Sequence, residues 1–216
     1  MSPPLLECLD ALSRLERETP PASLTSMAKR LGLDHAAAAE RVRALEALGL
    51  VRADPPGRIV LTAEAARIAR GLLRKHRLLE GFLADRLALP WARVHEEACR
   101  LTPVLSDDAA DALAKLLGST ASCPHGNPIP SADGATSMVP GTPLHRLAPG
   151  RCGIIVRVER EEPELLKSLA TLGLLPHTKV EVEERAPFGG PILVRVGSAR
   201  YALGRKVAAH VLVREV

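Results

Sequence analysis

The spacing of apolar residues changes once along this chain of 216 residues, and that change limits the folds open to it. From Leu5 to Leu117 apolar side chains recur every three or four positions, the period of helices that bury one face. Beyond residue 143 the period falls towards two: GIIVRVE, KVEVEE, ILVRVG and HVLVREV are β-rich runs separated by turns, with one helix expected around Pro163–Leu172. Between the two regimes, residues 119–143 (STASCPHGNPIPSADGATSMVPGTP) are rich in Pro, Gly, Ser and Thr and read as linker and irregular coil. The expected architecture is mainly α with a small β domain, the latter an SH3-like barrel of roughly seventy residues. No internal repeat is visible.

The helical half has its own order. Leu5, Leu9, Leu12 and Leu15 stripe a first helix that stops before Pro20-Pro21, and a short second helix ends at Gly32. Asp34 is an expected N-cap for a third, HAAAAERVRALEALGL. LVRADPPGRIVLT then reads as a hairpin turning at Asp54-Pro55-Pro56-Gly57, and a long helix follows Thr62 to about Leu89. Another helix starts at Pro90, and Ser106-Asp107-Asp108 caps one more. Three helices and a hairpin in this order describe a winged helix-turn-helix, whose helix after the turn enters the major groove while the hairpin lies along phosphates. The expected contacts are Asp34, His35, Ala36, Ala37 and Glu40 at base edges, with Lys29, Arg41, Arg43 and Arg58 on phosphates. Lys29 is paired with Arg30, and Arg52 stands on the wing beside Arg58. Alanine can touch a thymine methyl and Glu can accept from cytosine, so direct readout by this helix would be thin.

Composition narrows the alternatives. Aromatic residues are 2% of the chain, too few for stacking single-stranded nucleic acid. Lys and Arg number 29 against 25 Asp and Glu, a net charge of +4 that suits a polyanionic partner such as double-stranded DNA. The four cysteines (Cys8, Cys99, Cys123, Cys152) never form C-x-x-C, which argues against a disulfide scaffold or zinc ribbon. Acidic residues interrupt the amino terminus, and no apolar run reaches the ~18–20 residues of a membrane span, so a cytoplasmic protein is expected. HExxH, a Gly-rich phosphate loop and a nucleophile elbow are all absent from the sequence, and no enzyme is expected.

Two helices carry metal-ligand spacing. His76 and Glu80 lie four residues apart on the long helix, and His95 and Cys99 repeat that spacing on the next. Glu7 and Asp10 offer two carboxylates from the first helix. A mixed N, O and S donor set suits Fe(II), Mn(II), Co(II), Ni(II) or Zn(II). A lone helical histidine is more often a hydrogen-bonded core or surface group and a lone cysteine a small buried hydrophobe; it is the two pairs on successive helices that raise the ligand reading beside them.

RKHRLLEGFL (74–83), LPWARVHEEACRL (89–101) and CPHGNPIP (123–130) together resemble the diphtheria-toxin-repressor family of metal-dependent transcriptional regulators. LATLGLLPHTKVEVEERAPFGGPILVRVG (169–197) resembles a FeoA-like domain. The resemblance covers the whole chain and implies a winged helix-turn-helix over 1–62, a helical dimerisation and metal-binding domain over 63–130, a linker over 131–143 and an SH3-like domain over 144–216. It further implies a homodimer that binds operator DNA under control of Fe(II) or Mn(II) and represses genes of metal homeostasis. His76, Glu80 and His95 match the family's ancillary site, completed by an acid of the barrel at Glu162, with Glu161 and Glu164 as adjacent alternatives. Cys99 matches the primary site, with Glu7 and Asp10 at its amino-terminal positions; the thiol points to iron and the two acids to manganese.

The sequence also departs from that family. Thr102 and Pro103 stand where the primary site has a Glu-His pair, so the usual site cannot form from these residues. Two other readings follow: a regulator of the same fold that ignores metal or senses oxidation through Cys99 or Cys123, and a FeoA-like interaction protein. The Pro-rich 124–143 segment is a candidate ligand for the chain's own barrel.

Overall fold

A computed structural model describes residues 1–54, 57–118, 121–137 and 139–216. The tip of the expected hairpin, Pro55-Pro56, lies outside the described residues, as do Ser119, Thr120 and Met138 of the expected linker. The chain divides into two compact units that interleave in sequence. One comprises Met1–His76, Cys99–Ala112 and Pro130–Ala135; the other comprises Arg77–Ala98, Leu113–Ile129 and Thr136–Val216.

The first unit opens with α1 (Pro3–Glu18), α2 (Leu24–Leu31) and α3 (His35–Ala47). Ser23 caps α2 through a reciprocal box with Ser26, and Gly32 closes it in the left-handed region at φ 64°. The Asp34 carboxylate accepts from the Ala37 amide at 2.7 Å, which starts α3. The wing is an antiparallel pair, β1 (Val51–Asp54) with β2 (Arg58–Leu61), in the register Val51 to Leu61. Cys8, Leu9, Leu12, Met27, Ala38, Leu45, Val51 and Ile59 form its core, so the three helices and the wing share one apolar interior. α4 (Ala63–Asp85) starts where the Thr62 hydroxyl accepts from Ala65 at 3.3 Å. The unit boundary falls inside α4, after His76, and inside α5 (Val94–Leu101), after Ala98. α5 begins at Val94 rather than at Pro90. α6 (Asp107–Leu117) is capped by Ser106, whose hydroxyl accepts from Ala109 at 3.1 Å.

The second unit is built on a six-stranded antiparallel sheet: β3 (Thr142–Pro143), β4 (Arg151–Val158), β5 (Lys179–Arg185), β6 (Ile192–Val196), β7 (Ala199–Leu203) and β8 (Val211–Glu215). The spatial order is β3-β8-β4-β5-β6-β7, with register shifts after Ile155 and Val182 that bend the sheet. Helices α7 (Pro163–Thr171) and α8 (Arg205–Ala208) belong to it, and Leu144, Ile155, Leu166, Leu169, Val180, Val194 and Val211 fill its interior. Such a core is aliphatic because the chain has few aromatics to offer.

The expected coil over 119–143 is only partly coil. Cys123, His125 and Asn127 are buried. The turn closes on itself through Cys123 N–H to the Asn127 carbonyl (2.8 Å) and Gly126 N–H to the Cys123 carbonyl (2.8 Å). The Val158 amide donates to the His125 carbonyl at 2.9 Å, tying the turn to the end of β4. Composition missed this because Pro and Gly specify a turn without saying whether it is solvated. Further on, Thr142 and Pro143 add β3 to the edge of β8, and Arg157 donates to the Val139 carbonyl. Among the described residues, no helix is long and apolar enough to cross a membrane.

Candidate metal centre and nucleic-acid interface

In the second unit, five ligating side chains meet from four separate stretches of sequence. Glu80 comes from α4 and His95 from α5, Cys123 and His125 from the buried turn, and Glu161 from the loop between β4 and α7. His95 Nδ1 lies 3.0 Å from Glu80 Oε1 and 3.2 Å from Glu161 Oε2. His125 Nδ1 lies 3.3 Å from Glu80 Oε1 and 3.7 Å from Glu161 Oε1. Glu80, Cys123, His125 and Glu161 each bring a ligand atom within 4.8 Å of the others.

Neighbouring groups aim these donors. Asn127 Nδ2 donates to Glu161 Oε1 at 2.7 Å and to the Val158 carbonyl at 2.9 Å, so the turn orients the carboxylate. His125 Nε2 faces the Trp91 carbonyl at 3.2 Å. A carbonyl only accepts, so Nε2 carries the proton and Nδ1 is directed at the two carboxylates. Trp91 in turn donates to the Pro124 carbonyl at 2.8 Å and packs edge-on to the His125 ring. A cavity of about 360 Å³ lined by Asp85, Trp91, Cys123, Pro124, Leu175 and His177 adjoins the thiol.

Electrostatics make the cluster a cation trap. Burial and the adjacent Glu80 charge oppose ionisation of Glu161, yet His95 and His125 outweigh them and hold it well below the usual carboxylate range. Burial lowers the pKa of His125, but Glu80 and Glu161 raise it above its ordinary value. Burial, then Glu80 and Glu161, push the Cys123 thiol well above its ordinary value. The Glu161 carboxylate therefore relies on imidazolium charge, and a divalent cation would serve it better and would favour the thiolate. The donor set fits a transition metal such as Fe(II), Mn(II) or Zn(II).

The acid beside His95 is Glu161, not Glu162. Glu162 precedes the first turn of α7, is exposed and pairs with Arg160 at 3.1 Å. One step along an extended segment turns a side chain to the opposite side, which is why register counted from sequence failed here. Cys123 and His125 are not among the ligand candidates named from sequence; their spacing in C-x-H was visible, but only the fold brings them to Glu80.

In the first unit, His76 is buried on α4 one helical turn before Glu80. Its Nδ1 is 3.4 Å from the Thr102 hydroxyl, and a ring nitrogen lies within 4.8 Å of the Cys99 sulfur. Cys99 itself is an exposed residue. Thr102 is the first residue of a 3-10 turn, Thr102–Val104, and is buried. Glu7 is exposed and pairs with Arg41 at 3.7 Å. Asp10, half-buried, is held at 2.8 Å by the buried Arg14. Burial opposes ionisation of Asp10, and Arg14 with His76 outweighs it and lowers its pKa. The acids of α1 therefore already have side-chain cations, and Thr102 is a weak ligand.

On α3, His35, Ala36, Glu40 and Arg43 are exposed, and Lys29 is exposed on α2. Asp34 is committed to capping, and Ala37 is half-buried. Two expected phosphate donors are otherwise engaged. Arg41 points to Glu7 and to the Cys8 sulfur at 4.0 Å, and Arg58 pairs with Glu16. Sequence counts cations; it does not reveal which carboxylate the fold sets opposite them. Arg52 likewise pairs with Asp54 at 2.9 Å.

A winged helix-turn-helix, a buried centre of carboxylates, imidazoles and thiol, and a six-stranded barrel define a DNA-binding regulator equipped to hold a metal. Three known families match along the chain: the IclR helix-turn-helix domain over residues 7–55, the iron dependent repressor metal binding and dimerisation domain over 62–131, and the FeoA domain over 142–215. The chain is similar to the iron-dependent repressor IdeR of Mycobacterium tuberculosis, with 31% identity over 210 residues, 88% of this chain and 87% of that protein. The diphtheria toxin repressor of Corynebacterium diphtheriae is 33% identical over 139 residues, 62% of each. Among solved structures, a manganese-dependent transcriptional repressor in complex with manganese superposes with a TM-score of 0.86 at 30% identity, covering 98% of this chain and 100% of that one. The IdeR of T. acidophilum gives 0.80 at 25%, covering 98% and 97%. The chain belongs to the iron-dependent repressor family, that of the diphtheria toxin repressor.

Proposed function

We propose that this protein is a metal-dependent transcriptional repressor that binds operator DNA as a homodimer and answers to Fe(II) or Mn(II). The observation that carries the reading is the set Glu80, Cys123, His125 and Glu161, with His95 against both carboxylates and His76 further back on the helix of Glu80. In this reading the winged helix-turn-helix (1–62) contacts DNA, 63–130 supplies dimerisation and most ligands, and the barrel (144–216) contributes Glu161. Co(II), Ni(II) and Zn(II) fit the same donors in vitro. A bound divalent ion would neutralise the two carboxylates and stabilise the Cys123 thiolate.

The chain's own residues do the rest. Asn127 holds Glu161 at a fixed angle, and the Trp91 carbonyl holds His125 in one tautomer. Glu80, on α4, couples the cluster to the helix that continues from the wing. Only an ion that binds the DNA-competent arrangement better can shift the balance between arrangements. Exposed His35, Ala36, Glu40 and Arg43 of α3, with Lys29, are the groups offered to DNA. Redox control through Cys123 is disfavoured, because its thiol is buried and its pKa raised. The β3–β8 pairing supports the further reading that the chain's Pro-rich segment is held on its own barrel.

The test is calorimetry with Mn(II) and Fe(II) beside a DNA-shift assay on the region upstream of its own gene. Glu80→Gln and Glu161→Gln should each abolish tight metal binding and metal-stimulated DNA binding. Metal stimulation unchanged in both variants would overturn the reading.

A further inference from the structure

Most arginines of the barrel face a carboxylate: Arg151 has Glu215, Arg157 has Glu159, Arg160 has Glu162, and Arg195 and Arg200 share Glu183. Three do not. Arg146 ends the 3-10 turn Leu144–Arg146, Arg185 ends β5 and Arg205 opens α8. Among the described residues none of these three is within ion-pair distance of an acid. Arg185 reaches the Leu147 carbonyl, two residues beyond His145, and Arg205 reaches the Ala186 carbonyl beside Arg185. The His145 pKa is lowered first by burial and then by the charges of Arg146, Arg185 and Arg205, against a hydrogen bond with the Ala208 backbone.

Backbone carbonyls hold two of these guanidinium groups without neutralising them. Arg205 donates from Nε to the Gly190 carbonyl at 2.8 Å and from Nη2 to the Ala186 carbonyl at 3.0 Å. Arg185 donates to the Leu147 carbonyl. Arg185 Nε and His145 Nδ1, both shielded from the surface, have no hydrogen-bond partner among the described residues. Concentrated positive charge costs free energy, and among the described residues no carboxylate within ion-pair distance of Arg146, Arg185 or Arg205 offsets it. Planar guanidinium groups match tetrahedral oxyanions through paired N–H donors, and side chains already held by carbonyls lose little freedom on binding.

We propose that Arg146, Arg185 and Arg205, with His145, form a phosphate-binding site on the carboxy-terminal barrel, separate from the metal centre. The ligand chemistry is a phosphate oxyanion, supplied either as free inorganic phosphate or as a backbone phosphate of DNA reaching beyond the winged helix.

The test uses the full chain. Inorganic phosphate is titrated at constant ionic strength and followed by amide NMR, on wild type, Arg146→Glu and the control Arg200→Gln. Arg146 is exposed, so its replacement leaves the fold intact. If the site takes free phosphate, saturable shifts appear around His145 and Arg205, and the dissociation constant rises about tenfold or more in Arg146→Glu but not in the control. If it takes DNA phosphate, free phosphate gives no saturable shift. The salt slope of binding to a long duplex then falls by about one in Arg146→Glu, while a short duplex shows no difference. Wild type that binds no phosphate, together with an unchanged salt slope, overturns the proposal.

Discussion

Gly126 is the residue on which the metal centre's geometry turns. It sits at φ 82°, and a Cβ there would lie 2.1 Å from the Val156 carbonyl oxygen and 2.8 Å from Arg157 Cα. Both obstacles are backbone and cannot rotate away. Gly126→Ala therefore meets two costs, about 1–2 kcal/mol for the left-handed conformation and about 1–3 kcal/mol for the forced separation. The expected loss of unfolding free energy is about 2–5 kcal/mol. Gly150 provides the control, since it has φ 78° and a Cβ added there would meet nothing within 4 Å. Gly150→Ala should lose only the conformational part, about 1–2 kcal/mol, so the difference between the variants measures the close approach. The clash also pushes the 123–127 turn away from β4, displacing Cys123, His125 and Asn127 together. Metal affinity should fall by about 10- to 100-fold in Gly126→Ala and stay unchanged in Gly150→Ala. Urea unfolding of the metal-stripped chain and calorimetry with Mn(II) read the two effects. A Gly126→Ala chain no less stable than Gly150→Ala, and binding metal as wild type does, would show that the backbone contact does not hold the centre.

Four further outcomes are expected. Asp10→Ala removes the carboxylate beside the buried Arg14 guanidinium and should cost about 3 kcal/mol or more in urea unfolding, with Asp10→Ala/Arg14→Met recovering much of it; an Asp10→Ala chain as stable as wild type would refute that pairing. Thr102→Val should leave calorimetric metal affinity unchanged, because a hydroxyl is a weak metal ligand and this one lies 3.4 Å from His76 Nδ1; a marked loss would make Thr102 a ligand. Arg43→Ala should lower the salt slope of DNA binding by about one while Arg58→Ala, engaged with Glu16, should not; equal slopes in gel-shift titrations would count against this assignment. The Glu16 pKa is lowered chiefly by the Ala22 amide and also by Arg58, so its contribution to stability is present above the ordinary carboxylate range and is lost as pH falls through its lowered value. Glu16→Gln should flatten the acid side of the stability profile measured by thermal unfolding, and an unaltered acid limb would contradict it.

Much of the fold is legible because periodicity and capping are local. Asp34, Ser106 and Thr62 each start the helix that the sequence assigns to them, since a cap needs only an amide three residues on. Glu80 and His95 were likewise visible as ligand candidates, since i, i+4 spacing fixes a helix face. Charge partners were not legible. Arg41 and Arg58 read as phosphate donors until the fold sets Glu7 and Glu16 opposite them.

By itself, then, the sequence determined which stretches are helices, which are strands and where the ligating side chains stand along each, because those depend on neighbours a few residues away. Tertiary structure decided which of them meet. It chose Glu161 over Glu162 by the direction of one side chain, and it turned a Pro-Gly stretch into the buried arm that carries Cys123 and His125. It also neutralised Asp10 with Arg14. Such choices rest on contacts between residues distant in sequence, where a rotation of one residue or a shift of a few ångströms changes the partner, and no local pattern encodes that distance.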